Sequence, residues 1–308
     1  MDARVKPAHD DGESMLWALF TLIAAAAQTA RNAMQRELTA TLGTVGATHV
    51  RFLFGFPFAL VFLAGVLIVL GERLPSPPLA FWPWVLAGAV TQIAATATML
   101  SVMGQRSFVV AYAYIKTEPV QVALFGLIFL GDRVTPLLAL AILIATAGVI
   151  LISLKPGDAR AGTTRSTVIG LVSGGLFALS AIGYRGAILA LHLQDFVLGA
   201  TFTLAVGLVI QAAALSAYLW LREPKVLRAI ARAWKPSLLA GFMGAFASQF
   251  WFLAFAIATA ASVRTLALVE VLFAQGVTHF VFKQPTTRRE IAGIVLVVIG
   301  VGLLVWAY

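Results

Sequence analysis

Residues 111–125 read AYAYIKTEPVQVALF, and residues 263–277 read VRTLALVEVLFAQGV. Both stretches are apolar and carry one glutamate near the middle, Glu118 in the first and Glu270 in the second, 152 residues apart. The flanking sequence repeats with nearly the same spacing: LAGAVTQIAATATML (86–100) and AILIATAGVILI (141–152) are echoed by LAGFMGAFASQFWF (239–252) and AGIVLVVIGVGLLV (292–305). The chain is therefore built as two copies of one unit.

The composition indicates a membrane protein. Hydrophobic residues make up 60% of the chain, charged residues 11%, and the mean hydropathy is +0.94, whereas soluble domains are about 45–50% apolar. A helix that crosses the hydrocarbon core needs roughly 20 predominantly apolar residues. We predict an all-α integral membrane protein with ten transmembrane helices, which lie near residues 15–35, 46–70, 80–103, 107–130, 134–154, 167–190, 196–220, 236–258, 260–282 and 290–307.

A polar linker divides these helices into two groups of five. KPGDARAGTTRS, at 155–166, has the Pro, Gly and charged residues of a linker. We predict a polar N-terminal tail at 1–14, a first five-helix repeat at 15–154 and a second at 167–308. Because five is odd, the second repeat must enter the membrane from the opposite face. Two inverted repeats of this kind are typical of secondary transporters.

Several function classes are disfavoured by what the sequence lacks. The net charge of +9 comes from basic residues in short loops between spans, which argues against nucleic-acid binding. The chain has no cysteine and four scattered histidines, so we expect no metal centre and no cofactor. It has no P-loop, no Gly-x-Ser-x-Gly and no His-Glu-x-x-His, so we expect no enzyme. The expected partners are a small-molecule substrate and the lipid bilayer, and the expected form is a monomer or homodimer in a bacterial-type plasma membrane.

The basic residues also bear on membrane orientation. The loops after odd-numbered helices carry thirteen: Arg36, Arg106, Lys155, Arg160, Arg165, Arg222, Lys225, Arg228, Arg232, Lys235, Lys283, Arg288 and Arg289. The opposite side carries four: Arg4, Lys6, Arg73 and Arg133. The positive-inside rule therefore favours termini outside the cell.

One continuous stretch resembles a known family. EPVQVALFGLIFLGDRVTP (118–136), followed by AILIATAGVILI, resembles the EamA-type members of the drug/metabolite transporter superfamily. The resemblance extends over both halves and implies ten helices, two EamA repeats and movement of small metabolites, often the export of amino acids. The second copy departs from the pattern, with Val271 in place of Pro119 and KQPTTRRE (283–290) in place of GDRVTP (131–136). Relatives are usually drawn with both termini cytoplasmic, which opposes the orientation that the basic loops favour.

The two glutamates are the strongest candidates for a functional site. An ionisable group inside a membrane is expensive and by default points to function. A pseudo-two-fold axis would bring Glu118 and Glu270 to similar depth beside one central cavity. Three roles stay open for them: structural partners of a lysine or arginine, substrate contacts, or proton carriers.

Other side chains near the two glutamates are candidates for substrate binding. Lys116 lies roughly 200° around a regular helix from Glu118, and Pro119 loosens that constraint by interrupting the helix. Arg264 occupies the repeat position of Tyr112, and with Lys116 it is predicted to hold an anionic group. The remaining candidates are aromatic or amide side chains on other spans: Tyr112, Tyr114, Gln28, Asn32, Gln92, Gln249 and Trp251.

Three further arginines lie close to predicted helix ends. Arg31, Arg51 and Arg185 are therefore expected to extend toward the membrane surface. The mixture of cations and carboxylates at mid-depth favours efflux of amino acids or related zwitterions and anions by gradient-driven or equilibrating exchange. The alternatives are a component of a flippase for lipid headgroups or polyisoprenoid-linked groups, and a non-transporting membrane scaffold.

Overall fold

The computed structural model describes residues 11–102, 108–153, 164–280, 283 and 286–307, and the chain is helical, with no strand, within those ranges. Residues 1–10 of the predicted tail and 155–163 of the predicted linker lie outside them. The α-helices are α1 Asp11–Leu53, α2 Phe56–Leu70, α3 Phe81–Val102, α4 Phe108–Ile115, α5 Glu118–Phe125, α6 Pro136–Ser153, α7 Thr164–Ala190, α8 Phe196–Arg222, α9 Pro224–Arg232, α10 Trp234–Ile257, α11 Ala260–Leu266, α12 Glu270–Phe280 and α13 Arg288–Trp306.

Among the described residues, eight helices are long and apolar enough to cross a membrane, where the sequence predicted ten. They are Leu38–Leu70, Phe81–Ser101, Ala111–Leu130, Pro136–Ser153, Thr164–Ala190, Phe196–Arg222, Trp234–Ile257 and Arg288–Trp306. The predicted spans at 15–35 and 260–282 are not among the eight. The first lies within the long helix α1, and the second is broken into α11, a 3-10 turn and α12.

Helix α1 changes direction at Gly43, whose backbone has φ 70° and ψ 176°. The Gln35 side chain donates a hydrogen bond from Nε2 to the Ala47 carbonyl at 3.1 Å. Those two residues would stand about 18 Å apart along a straight helix. The chain therefore turns sharply at Gly43, and α1 consists of two arms, 11–42 and 44–53.

Gly43→Ala is expected to destabilise the protein by about 1–3 kcal/mol, because glycine alone adopts this backbone conformation readily. An added methyl group would meet nothing within 4 Å, so the cost comes from the backbone and not from a clash. Unfolding of the purified protein in lipid nanodiscs measures this loss of stability. Gly65→Ala is the matched control, since Gly65 lies in a helix and has the same free space. Equal stability of the two variants would contradict the assignment of a turn at Gly43.

The fourth predicted helix is interrupted just before Glu118. Helix α4 ends at Ile115, Thr117 is the N-cap of α5, and Pro119 lies in the first turn of α5. Proline is tolerated there because the first backbone N–H groups of a helix have no partner within it. A π-helical turn, Gly126–Leu130, follows and ends at Gly131, which has a φ of 68°.

Helices of one half pack against helices of the other half. Helix α1 packs closely against α10 and α3 against α7, while α6 packs against α13. The first helix of each half thus contacts the third helix of the other half, and the two fifth helices contact each other. Glycines permit this approach: a Cβ at Gly183 would stand 2.6 Å from the Gly88 nitrogen, and one at Gly148 would stand 2.7 Å from the Gly293 oxygen.

Candidate functional site

A polar cavity lies between the two halves of the chain. It encloses about 630 Å³, including space open to solvent. We call it the central cavity. Its lining comes from α1, α3 and α4 of the first half, α7, α10 and α11 of the second, and the α4–α5 break: Gln28, Arg31, Asn32, Arg51, Gln92, Met99, Tyr112, Ile115, Lys116, Glu118, Phe177, Ser180, Ala181, Tyr184, Ser248, Trp251, Phe252, Phe255 and Arg264.

A second, smaller space adjoins the central cavity. It measures about 270 Å³, including space open to solvent, and we call it the side chamber. Four side chains line both spaces: Gln28, Lys116, Glu118 and Arg264. Pro119, Ala267, Leu268 and Glu270 line the side chamber alone. The shared charged side chains therefore stand at the boundary between the two spaces.

Two ion pairs at this boundary link the halves. The Lys116 ammonium pairs with the Glu270 carboxylate, and Arg264 Nε lies 3.0 Å from Glu118 Oε1. All four side chains are 14% exposed or less. Lys116 and Arg264, which the sequence predicts to hold an anion together, are thus each paired with a glutamate of the other half.

Aromatic side chains surround both ion pairs. The Lys116 ammonium lies 4.9 Å from the centre of the Tyr112 ring, and the Tyr112 hydroxyl donates to Glu270 Oε1 at 3.4 Å. The Arg264 guanidinium lies 4.5 Å from the centre of the Trp251 ring. Cation–π contacts of this kind strengthen where water is excluded. The aromatic rings therefore help to hold both cations away from bulk solvent.

Arg31 and Arg51 also line the central cavity, and each is only 3% exposed. Their expected extension toward the membrane surface is not observed. Arg31 lies well inside the first arm of α1, and Arg51 lies in the last turn of the second arm, just before the chain enters α2. Arg31 donates to Asn32 Oδ1 at 2.7 Å and Arg51 to Thr96 Oγ1 at 3.3 Å. No carboxylate among the described residues pairs with either guanidinium.

Arg185 lies on the first helix of the second half, as Arg31 does on the first helix of the first half, but its partners are different. It donates to the carbonyls of Phe255 and Ala258, and one of its nitrogens lies 3.7 Å from Asp132 Oδ1. These carbonyls belong to the end of α10, where a cation is favourable. The Arg185 side chain is therefore directed to the C-terminal end of α10 and is largely buried there.

An amide network covers the wall formed by α3. Gln92 Oε1 accepts hydrogen bonds from Gln211 Nε2 at 2.8 Å and from the Tyr184 hydroxyl at 3.4 Å. Gln211 Nε2 also donates to the Ala89 carbonyl at 3.2 Å. On the other wall, Trp251 Nε1 donates to Gln28 Oε1 at 3.2 Å. Both networks fix polar side chains that face the cavity.

Two predicted site residues lie elsewhere. Gln249 donates to Thr201 Oγ1 at 2.8 Å and so faces α8 instead of the cavity. Tyr114 packs against α7, where a Cβ at Gly170 would stand 2.7 Å from the Tyr114 Cβ. The other ten predicted residues line the two spaces: Gln28, Asn32, Gln92, Tyr112, Lys116, Glu118, Pro119, Trp251, Arg264 and Glu270.

Helix periodicity could have identified the arginine of the first arm. Gln28, Arg31, Asn32 and Gln35 have the spacing i, i+3, i+4 and i+7 of one helix face. A polar stripe on an otherwise apolar helix indicates that this face meets a cavity or another helix. For Arg51 no equivalent signal exists, because its position depends on the turn at Gly43.

The arrangement is suited to binding a polar solute. Charged and amide side chains from both halves converge on one cavity, and buried charges in a membrane mark ion or substrate pathways. Among the residues that the structure describes, no cluster of three or more His, Asp or Glu side chains could hold a metal ion. The site therefore offers ionic and hydrogen-bonding groups for recognition.

Comparison with known proteins agrees with the repeat structure. The model of the EamA-like transporter family matches residues 15–154 and again residues 167–306. Among solved structures, one described as "Crystal structure of protein" superposes with a TM-score of 0.69 at 14% identity and covers 95% of each chain. Among curated proteins, none matches. The structural likeness supports the fold, and the two family matches carry the assignment: this multi-pass membrane protein belongs to the EamA-like transporter family, a family of membrane transporters in the drug/metabolite superfamily.

Proposed function

We propose that the protein is a secondary transporter that exports small polar metabolites, amino acids or related zwitterions and anions, across a bacterial-type plasma membrane by alternating access. The observation that carries this proposal is the central cavity, which is lined by buried charged and amide side chains from both repeats. Such polar groups are costly in a membrane unless they serve a solute or one another. A non-transporting scaffold would have no use for them.

The proposal includes ten membrane crossings arranged as two inverted repeats. The turn at Gly43 supports two separate crossings, at 11–42 and 44–70, because the chain is helical on both sides of it. The broken segment Ala260–Phe280 supplies the ninth crossing, in the manner of the interrupted helices that transporters use at their sites. The exchange of partners between the halves supports a two-fold relation. An odd number of crossings per repeat then requires inversion.

The two ion pairs suit a role in alternating access. They join the two repeats and stand between the central cavity and the side chamber. If one repeat rocks against the other, these pairs must lengthen or separate, because their partners belong to different repeats. A solute that competes for the same charges would favour that separation. Transport then needs no chemistry beyond the rearrangement of ion pairs.

Uptake and counterflow in proteoliposomes test the transport function. The panel contains amino acids, organic acids, nucleotides and cationic drugs, each with and without an imposed pH gradient. We expect at least one polar compound to exchange faster than in protein-free liposomes. Lipid-headgroup translocation, measured in the same vesicles with a fluorescent phospholipid, separates a flippase from a metabolite carrier. Absence of exchange for every compound would refute the transporter proposal.

A further inference from the structure

The central cavity holds more positive than negative charge. Four cations face it or its boundary, Arg31, Arg51, Lys116 and Arg264, against two carboxylates, Glu118 and Glu270. The carboxylates are already paired with Lys116 and Arg264. Two guanidinium groups are left without a counter-ion among the described residues.

These two arginines are deeply buried and incompletely bonded. Each is 3% exposed. Three of their nitrogen atoms are buried and donate to no hydrogen-bond acceptor: Nε and Nη1 of Arg31 and Nε of Arg51. Each guanidinium donates one bond to a neutral side-chain oxygen, Asn32 Oδ1 or Thr96 Oγ1. A buried charge normally has a partner of opposite charge, because removing it from water is costly.

The two arginines are also held side by side. They lie on opposite arms of α1, brought together by the turn at Gly43, and both pack over Gly244 of α10. A Cβ at Gly244 would stand 3.2 Å from Arg51 Cγ and 3.6 Å from Arg31 Cδ. The absence of a side chain at Gly244 therefore leaves room for both stems in one layer. Paired guanidinium groups present several N–H donors in planar forks that match carboxylate and phosphate oxygens.

The geometry points to an anion-binding subsite in the central cavity, formed by Arg31 and Arg51 where their side chains pack over Gly244. It also points to a transported solute that carries a carboxylate or phosphate group and has a net negative charge. This inference rests on the proposed transport function and narrows its substrate class from small polar metabolites to anions. It differs from the sequence prediction, which placed the anion between Lys116 and Arg264.

This subsite predicts that substitution of either arginine changes protein stability and anion binding in opposite directions. Removing one unpaired buried charge relieves a cost in the ligand-free protein, so Arg31→Gln and Arg51→Gln should each unfold at a higher temperature than wild type without ligand. The same substitutions remove charge-assisted hydrogen bonds to the anion. Each should therefore weaken anion binding by about ten-fold or more. A merely structural arginine would behave in the opposite way, with lower stability on substitution.

The binding test uses the full-length protein in lipid nanodiscs at fixed ionic strength. Thermal unfolding and tryptophan fluorescence are recorded during titration with inorganic phosphate, succinate and glutamate, and with lysine and glucose as non-anionic comparisons. We expect at least one anion to stabilise the wild type, and Arg31→Gln and Arg51→Gln to lose that response. Arg222→Gln, the same change at an exposed helix end, is the matched control and should respond like wild type. Failure of all three anions to bind, or undiminished binding by both variants, would overturn the subsite.

The transport test separates this inference from the proposed function. The same five solutes are assayed for counterflow in proteoliposomes. Exchange of an anion that depends on Arg31 and Arg51 supports both. Anion binding without any exchange supports the subsite and counts against transport. Exchange of lysine or glucose, with no anion bound or exchanged, supports transport and overturns the anionic substrate class.

Discussion

Glu270→Gln is expected to destabilise the protein by about 3–5 kcal/mol, the cost of breaking a buried ion pair by removing one partner. The Lys116 ammonium would keep its burial and lose its carboxylate. The Tyr112 ring and hydroxyl remain beside it but carry no compensating charge. We also expect transport to fall below detection, because the pair joins the two repeats at the boundary of the central cavity.

Unfolding measured in nanodiscs, with counterflow in parallel, checks this expectation. Glu72→Gln, the same change at an exposed position, is the matched control and should leave both quantities near the wild-type values. The double variant Lys116→Met/Glu270→Met removes both charges together and should recover most of the lost stability while transport stays absent. If Glu270→Gln were as stable as Glu72→Gln, the Lys116–Glu270 pair would not be compensating a buried charge.

The sequence predicted the pairing of each glutamate with a lysine or arginine only as one of three alternatives. The repeat and the apolar surroundings marked Glu118 and Glu270, and both line the spaces between the halves. Their partners were not predictable, because Arg264 and Lys116 do not occupy equivalent repeat positions. Lys116 and Glu118 would point apart on a regular helix. Pro119 predicts an interruption of this helix, and the structure places the break at Thr117, with Pro119 in the first turn of α5, which removes that constraint.

The apolar segments of the sequence predict the helices. The predicted spans that are not among the eight long apolar helices are explained by local features of the backbone. Predicted boundaries at residues 35 and 46 reflect the low hydropathy of the intervening sequence. In the structure, however, α1 remains helical on both sides of Gly43. One glycine with an unusual backbone conformation therefore decides where two helices meet. The same glycine places Arg51 beside Arg31, and two separate predicted helices gave no sign that these two arginines are neighbours.

Arg264 should show the largest graded response to substitution, because it makes two separable interactions. Its Nε lies 3.0 Å from Glu118 Oε1, and its guanidinium stacks 4.5 Å from the Trp251 ring centre. Arg264→Lys keeps the charge but loses the planar stacking, at an expected cost of about 0.5–2 kcal/mol. Arg264→Gln loses both and leaves the Glu118 carboxylate buried without its cation, at an expected cost of about 3–5 kcal/mol.

Unfolding in nanodiscs measures the series, and the fluorescence difference between each variant and its Trp251→Phe counterpart reports the stacking. Adding Glu118→Gln to Arg264→Gln should return much of the stability, since the stranded charge is then removed. Adding it to wild type should destabilise, since Arg264 then loses its carboxylate. That reversal of sign identifies a charge pair, because simple loss of packing would make the two substitutions additive. Additive losses would show that Arg264 acts through its contact with Trp251 and that Glu118 is held by other groups.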